Sequence, residues 1–496
     1  MNRSNRPRVT GLLLLVAVFL TGILHAVQAQ DKLRQIDDLV GKYYEYGQFN
    51  GTVLVAEGGK VIFKKGYGEA NKEWNIPNTP DTKFRLGSIT KQFTATVILQ
   101  LVEQGKIRLD GKITDYIKDY PKATGDKITI NHLLTHSSGI PGYTEMPNFR
   151  QDMSRTPYPP TEFIKVFWNL PLQFDPGMKF NYSNSGYFLL GVIIEKVTSK
   201  PYAQVVVENI FKPLGMVSSG YDMSAPVLSK RAAGYEKQRG GFINAPYLDM
   251  TVPYAAGSLY STVEDLYLWD QALYGDRVLS EKSKAAMFEP RIAADGVAGS
   301  SMRYAYGWVV GRLPIGSSLD SVFTISHGGG INGFNSLITR VPGKEILVVF
   351  LNNTGGAPLG PMTVSILGIL FGKPHGPATR PLAEVLREMI GTSGIEVAVS
   401  RFMELRTNKN EYSLSESQMN ALGYEYLQEK KLKEAIAVLK LNVEAYPKSS
   451  NVYDSLGEAY AEAGEKELAI KNYEKSLELD PKSQSGIDAL KKLKAQ

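Results

Sequence analysis

The alternation of apolar and polar residues near the start of the chain predicts a β-hairpin. Two short apolar segments, GTVLVAE at 51–57 and KVIFKKGY at 60–67, are joined through a pair of glycines. Strand-like segments return late in the sequence, at Val322–Ser326, Asn335–Val341 and Glu345–Asn352. Because strands stand at both ends with helical patterns between them, we expect an α/β domain whose single sheet is closed by its two ends.

Helical spacing dominates the stretch between these strands. Phe93, Val97 and Leu101 recur every four residues, which predicts a helix from Ser88 to Gly105. Two further helices are predicted at 185–197 and 263–273, separated by loops rich in proline and glycine. We therefore expect a second, mostly helical lobe beside the sheet.

The last part of the chain contains a repeat of 34 residues. Five residues recur in register: Gly423, Tyr426, Ala435, Ile436 and Pro447 return as Gly457, Tyr460, Ala469, Ile470 and Pro481. A helical period of this length resembles tetratricopeptide repeats, which imply a concave surface for a protein partner. Two repeats are marginal for stability, so we expect either that the helical stretch 395–406 caps them or that they dock on the preceding domain.

The first 29 residues have the pattern of an export signal. Basic residues precede an apolar core at Leu12–Leu24, and Val27-Gln28-Ala29 supplies small residues for cleavage. The alternative is a retained membrane anchor, but the apolar segment is short for a span and is interrupted by polar residues. We expect cleavage, a periplasmic or secreted mature protein, and no stable membrane anchor afterwards.

Composition excludes several kinds of chemistry. The 496 residues include no cysteine, which rules out disulfides, thiolate catalysis and cysteine-ligated metals. There are five histidines, and the pair His132 and His136 lacks the glutamate of the H-E-x-x-H zinc motif. The net charge of +6 includes three arginines of the signal, so nothing favours nucleic acid as a partner. We expect no metal and no organic cofactor.

The segment FRLGSITK at 84–91 contains the pattern S-x-x-K. Ser88 opens the predicted helix and Lys91 follows one turn later, so both side chains lie on one face. A serine hydroxyl needs a neighbouring base, and a lysine amine can serve when burial lowers its pKa. The N-terminus of a helix also directs backbone N–H groups toward developing negative charge. Taken alone, the pattern also fits a helix cap followed by a surface lysine.

Two later motifs contain further polar candidates. Tyr182 and Asn184 form the pattern Y-x-N ahead of a predicted helix. A phenol can transfer a proton near a cation, and an amide can hold a catalytic amine and a substrate carbonyl together. His327 precedes three glycines, and Gly329 and Gly330 among them let a substrate backbone approach closely. The corresponding alternatives are a turn with a helix cap, and a structural histidine.

Together and in this order, the three motifs resemble those of the serine β-lactamase and penicillin-binding-protein family. The Y-x-N form is similar to its class C β-lactamase and D-Ala-D-Ala carboxypeptidase branch. The resemblance covers about residues 35–372 and includes LLTHSSGIPG at 133–142, DPGMKFNYSNSG at 175–186 and HGGGINGFNS at 327–336. It implies a β-lactamase-like two-lobed fold, with an antiparallel sheet flanked by helices beside a helical lobe.

The resemblance also implies a role for each candidate. Ser88 would form an acyl-enzyme, Lys91 and Tyr182 would share the acid–base work, and Asn184 would bind the substrate amide. The backbone N–H groups of Ser88 and Gly330 would form the oxyanion hole. These implied roles require no metal.

His327 would stand where β-lactamases usually carry a lysine. A neutral histidine binds a β-lactam carboxylate less firmly than a lysine does. Histidine at this place resembles the esterase, D-aminopeptidase and carboxypeptidase members, so the family name need not describe the activity.

These patterns predict four parts of the chain. They are a signal peptide at 1–29, a serine hydrolase domain at 30–372, a proline-bearing linker at 373–394 and an all-α tetratricopeptide-like module at 395–496. The expected function is hydrolysis of an ester, a D-configured amide or peptide, or a β-lactam. The substrate would be a small molecule or peptide, and the repeats would bind a protein. The alternative is a non-catalytic protein that senses a ligand and recruits a partner through its repeats.

Overall fold

The computed structural model describes residues 30–238, 241–294 and 302–495. The chain divides into two compact units, with the boundary between His375 and Gly376. The predicted signal, with its apolar core, lies outside the described residues. Within those ranges no helix combines the length and the apolar character needed to cross a bilayer.

An eight-stranded antiparallel sheet forms the centre of the first unit. In spatial order its strands are Ile292–Ala293, Arg303–Tyr304, Val309–Pro314, Ser321–Ile331, Phe334–Val341, Ile346–Asn352, Gly51–Glu57 and Lys60–Tyr67. The predicted hairpin is confirmed, and its first strand pairs antiparallel with the last strand of the sheet, Gly51 opposite Asn352. The sheet is therefore closed by the two ends of the unit, as the sequence pattern predicts.

Buried asparagine side chains form hydrogen bonds where the first and last strands of the unit meet. The backbone N–H of Asn50 donates to Asn352 Oδ1 at 2.7 Å, and Asn50 Nδ2 donates to Asn353 Oδ1 at 2.6 Å. All three side chains are buried, so each of these bonds also satisfies a polar group that would otherwise be costly to remove from water.

Helices cover the sheet and build the second lobe. The longer ones are 30–45, Thr90–Glu103, Asn184–Thr198, Val263–Ala272, Glu281–Phe288 and Leu359–Leu370. Shorter helices are Ile113–Tyr116, Lys122–Gly125, Ile130–Leu134, Pro160–Phe163, Tyr202–Val206, Lys212–Leu214 and Tyr254–Gly257. The predicted helices at 185–197 and 263–273 are confirmed, with ends that differ by a residue. A separate small sheet is formed by Phe84–Arg85, Leu259–Ser261 and Gly220–Tyr221, in that spatial order.

The second unit is a stack of helices. These are Leu382–Ser393, Ile395–Thr407, Glu416–Gln428, Leu432–Ala445, Ser450–Glu462, Lys466–Leu479 and Gln484–Ala495. The repeated glycines lie where helices of a pair touch: a Cβ on Gly423 would come within 2.5 Å of the Leu439 side chain. The predicted cap is confirmed as a helix, and its Phe402 is buried in the same core as the repeats.

The prediction of a linker at 373–394 is wrong for its second half. Residues Leu382–Ser393 form a helix, and Leu382 and Leu386 are fully buried in the core of the second unit. The prolines that suggested a linker all precede this helix, and Pro381 stands at its N-cap, where the missing N–H breaks no helical bond. The added helical pair gives the two repeats the neighbours that they need.

Candidate active site

Ser88 lies in a tight turn that precedes the long buried helix. The turn is a 3₁₀ segment, Gly87–Ile89, and the α-helix begins at Thr90, so the predicted helix start at Ser88 is too early. Gly87 has a φ of +55°, a conformation that side-chain-bearing residues rarely adopt. The backbone N–H of Leu259 donates to Thr90 Oγ1 at 3.1 Å, and the carbonyl of Leu259 accepts from Leu86 N–H at 2.8 Å. The strand containing Leu259 thus holds the turn from both sides.

The amine of Lys91 connects three elements. Its Nζ lies 3.0 Å from Ser88 Oγ, 2.8 Å from Asn184 Oδ1 and 2.9 Å from the Ala256 carbonyl oxygen. The side chain is completely buried, and this burial lowers the pKa of Lys91 well below its usual value. A neutral amine has two N–H groups for the two carbonyl oxygens, and its lone pair then faces the Ser88 hydroxyl. The arrangement suits a base that removes the serine proton.

Tyr182 lies beside this pair. Its hydroxyl is buried and has no hydrogen-bond partner among the described residues that meets ordinary geometry. Burial raises the pKa of Tyr182 well above 10, and the nearby Ser88 hydroxyl opposes that shift only in part. The Lys91 Nζ atom lies 4.8 Å from the centre of its ring. Tyr182 therefore remains protonated at neutral pH and can act as a proton donor.

Asn184 is held in one orientation by its two neighbours. Its Oδ1 accepts from Lys91, and its Nδ2 donates to Thr144 Oγ1 at 3.3 Å. Asn184 is the first residue of the helix Asn184–Thr198, which fixes the amide beside the amine. Thr144 was not predicted from the sequence, because no short motif marks it.

His136 packs against the Y-x-N turn and bonds to it, a role that no sequence motif indicated. Its ring stacks on Tyr182 with centroids 4.1 Å apart, and its Nδ1 accepts from the Ser183 N–H at 3.0 Å. His132 Nδ1 accepts from the Thr129 N–H, and no group of three or more side chains able to hold a metal ion occurs among the described residues. The segment LLTHSSGIPG contains His136 and was the available signal.

The histidine–glycine motif lies inside a strand rather than after one. The strand is Ser321–Ile331, so the prediction that it ends before His327 is wrong. His327 Nδ1 donates to the Gly328 carbonyl at 2.6 Å, and its Nε2 accepts from the Tyr304 hydroxyl at 2.9 Å. Burial, which is the largest cause, lowers the pKa of His327 to about 3. The ring is therefore neutral, and both nitrogens are already bonded within the protein.

Gly329 allows this strand to lie directly against the serine turn. A Cβ at Gly329 would be 1.9 Å from the Leu86 carbonyl oxygen, an impossible contact. Ser336 Oγ donates to the same carbonyl at 2.8 Å. Gly330 also adjoins the turn, because a Cβ on Gly87 would be 2.9 Å from the Gly330 nitrogen. The backbone of Gly330 is thus close enough to Ser88 to share a site with it.

Two cavities meet at Ser88. The larger has a volume of about 920 Å³ and is bordered by Tyr182, His327 and an apolar wall from the helix Leu359–Leu370. The smaller, about 140 Å³, is bordered by Asn184 and Thr144. Ser88 borders both cavities. When the bond to be cleaved lies at the Ser88 hydroxyl, the two halves of the substrate therefore extend into different cavities.

Comparison with known proteins gives consistent matches. A family model described as beta-lactamase matches residues 29–364, and a tetratricopeptide repeat model matches residues 450–483. Penicillin-binding protein 4* of Bacillus subtilis (strain 168) is 30% identical over 380 residues, which cover 73% of this chain and 81% of that protein.

Two solved structures are also similar. A penicillin binding protein from Bacillus halodurans has 28% identity and a TM-score of 0.59, covering 66% of this chain and 98% of that one. A D-amino acid amidase from Ochrobactrum anthropi SV3 has 26% identity and a TM-score of 0.60, covering 69% of this chain and 98% of that one.

Proposed function

The chain belongs to the β-lactamase family of serine hydrolases, and we propose that it cleaves an ester or a D-configured amide or peptide through an acyl-enzyme on Ser88. One observation carries the proposal: a fully buried Lys91 amine lies 3.0 Å from the Ser88 hydroxyl. Burying an amine is costly, and its lowered pKa gives it the lone pair that a serine nucleophile requires.

Acylation follows from the protonation states of three groups. Ser88 Oγ attacks the substrate carbonyl carbon while its proton passes to the neutral Lys91 amine. The tetrahedral intermediate collapses as the bond to the leaving oxygen or nitrogen breaks, and that atom takes the proton of the Tyr182 hydroxyl. Lys91 then returns its extra proton to the Tyr182 phenolate, which restores both groups. We assign the oxyanion to the N–H groups of Ser88 and Gly330.

Deacylation uses the same groups in reverse. A water molecule attacks the acyl carbon and gives its proton to Lys91 through Tyr182, and Ser88 Oγ leaves with a proton from the amine. Asn184 binds the amide or carbonyl of the acyl part, since its Nδ2 faces Thr144 and the smaller cavity. The net reaction is hydrolysis, with no group consumed except water.

β-Lactams are expected to be poor substrates. Their carboxylate needs a cation beside the nucleophile, and His327 is neutral with both nitrogens bonded. The D-amino acid amidase among the similar structures supports D-configured amides alongside esters.

We further propose export and a partner-binding role for the repeats. The signal-like first 29 residues and the penicillin-binding relatives support a periplasmic or secreted enzyme. The hydrolase domain ends near residue 375, and the helical unit after it offers the stacked surface on which such repeats bind proteins. The non-catalytic alternative explains neither the buried lysine nor its contact with Ser88.

Labelling with a fluorophosphonate, followed by intact-mass measurement and peptide mapping, tests the proposal. One adduct is expected, located on the Ser88 peptide and absent from Ser88→Ala. The matched control is Ser326→Ala, because Ser326 borders the same cavity and should leave labelling unchanged. An adduct on another serine, or none in the folded protein, would refute the mechanism.

A further inference from the structure

The larger cavity beside Ser88 contains no charged side chain among its described lining residues. Its walls are formed mainly by apolar groups: Met302, Val309, Leu313, Leu337, Leu359, Pro361 and Val364. The polar lining groups are hydroxyls, amides and the neutral His327. A substrate carboxylate in this cavity would lose its water without gaining a counter-charge.

The positions of Tyr182 and Asn184 indicate which half of a substrate occupies each cavity. Tyr182 borders the larger cavity and not the smaller, whereas Asn184 borders the smaller and not the larger. The leaving group takes its proton from Tyr182, so it must lie on the Tyr182 side. The acyl part, which Asn184 binds, then lies in the crevice of about 140 Å³, where only a short group fits.

We propose that the preferred substrates are short-acyl esters of long, uncharged, apolar alcohols. This inference rests on the proposed function, because it assigns the leaving group of that same reaction. A cavity of about 920 Å³ is large enough for a drug-sized apolar group. The smaller crevice limits the acyl part to about the size of a benzene ring.

Two series of esters test the assignment. In acetates of linear alcohols from ethanol to decanol, kcat/KM should rise about two- to fourfold per methylene, the gain expected for burying each CH₂. Ethyl esters of linear acids should show no such rise beyond about hexanoate, because longer acyl chains exceed the smaller crevice. An acetate whose alcohol ends in a carboxylate should be at least about tenfold poorer than its uncharged analogue of equal length.

A variant with a cation in the cavity should reverse the charge preference. Val364→Lys is expected to raise kcat/KM for the carboxylate-bearing acetate, relative to the uncharged one, by about tenfold. Leu319→Lys is the matched control, because Leu319 is fully exposed outside the cavity and should leave the ratio unchanged. Leu313→Lys replaces Val364→Lys if the latter does not fold.

The outcomes separate this inference from the proposed function. If Ser88 is labelled and ethyl acetate is cleaved, but kcat/KM is flat or falls with alcohol length, the inference is overturned and the function stands. If labelling and turnover both fail, the proposed function is wrong. The apolar character of the larger cavity can still be tested by ligand binding to the Ser88→Ala variant. Decan-1-ol should then displace the uncharged fluorescent probe N-phenyl-1-naphthylamine at concentrations where decanoate does not. Equal displacement by both would overturn the inference.

Discussion

The Nδ1 atom of His136 accepts a hydrogen bond from the backbone N–H of Ser183 at 3.0 Å. Ser183 separates Tyr182 from Asn184, so this bond helps to fix the turn that presents both side chains. The His136 carbonyl also accepts from the Asn181 N–H at 2.8 Å, on the other side of Tyr182. His136 is therefore a positioning residue, which acts on the reaction through the groups it holds.

Replacing His136 should lower turnover without removing the catalytic groups. We expect His136→Leu to reduce kcat by about 10- to 100-fold, because a displacement of about 1 Å has effects of this size. His136→Asn should recover much of the loss, since an asparagine tolerates the φ of +55° and offers an acceptor to Ser183. His132→Ala is the control, and its kcat should remain near that of the unaltered enzyme. Equal losses in the leucine and asparagine variants would contradict the positioning role.

The lowered pKa of Lys91 predicts how activity depends on pH. Below that pKa the amine is protonated and cannot accept the Ser88 proton, so kcat/KM for an ester should rise with pH and level off well below 10.5. His327, with a pKa of about 3, should add no inflection near pH 6.5. Lys91→Met should lower kcat by at least about a hundredfold.

The lowered pKa of Lys91 also predicts how the free energy of unfolding depends on pH. Between the folded pKa of Lys91 and the unfolded value of 10.5, unfolding takes up a proton, so the free energy of unfolding increases with pH. Relative to Lys91→Met, the unaltered protein should gain about 1.4 kcal/mol per pH unit in that window. Denaturant titrations of both proteins at pH 7.5 and 9 measure the difference. A difference independent of pH would show that Lys91 is charged in the folded state.

Adding a cation at His327 should improve β-lactam hydrolysis relative to ester hydrolysis. We expect His327→Lys to raise the ratio of kcat/KM for a chromogenic cephalosporin to that for phenyl acetate by about tenfold or more. Tyr304→Phe is the control, because it removes the bond to Nε2 without adding charge. In the unaltered enzyme the cephalosporin should be the poorer substrate, and the reverse order would contradict our view of His327.

Neighbouring glycines should respond very differently to alanine. Gly329→Ala places a Cβ 1.9 Å from the Leu86 carbonyl oxygen, so the strand must move away from the serine turn. We expect a loss of at least about tenfold in kcat and a lower melting temperature. Gly330→Ala meets no atom within 4 Å and should retain its stability. Similar melting temperatures for the two variants would contradict the close approach seen here.

Removing the repeats should leave small-ester hydrolysis intact. A chain that ends at His375 keeps every residue that we assign to the reaction, and its kcat/KM for phenyl acetate should stay within about a few-fold of the full-length value. It should lose any partner that the full-length protein recovers by pull-down. Activity is compared per folded molecule, with melting temperatures measured alongside. A truncated protein that melts normally but is inactive would show that the repeats help to build the site.

Much of the fold was predictable because its signals are local. The hairpin at 51–67, the helical spacing after Ser88 and the 34-residue repeat all depend on neighbours in the sequence. The three candidate motifs were recognisable because each combines a polar residue with a fixed short spacing. The structure brings Lys91, Ser88 and Asn184 together as those motifs predict.

What the sequence did not show depends on distant partners. Tyr304 bonds His327 from 23 residues away, and Ser336 reaches Leu86 across 250 residues. Neither contact is marked by a short pattern in the sequence. The helix Leu382–Ser393 was missed for a different reason: the prolines before it resemble a linker, although the apolar spacing of Leu382 and Leu386 favours a helix.

The closure of the sheet by Asn50 and Asn352, 302 positions apart, determines when the hydrolase domain can fold. The N-terminal hairpin leaves the ribosome first, but it has no edge strand to pair with until Ile346–Asn352 has been synthesised. Closing so long a loop is slow, because its entropy is lost before the pairing contributes any stability. A nascent chain that stops before Ile346 should therefore remain open and fail to react with a fluorophosphonate. If the chain is exported as we propose, such delayed folding would keep it unfolded long enough to pass through a secretion channel.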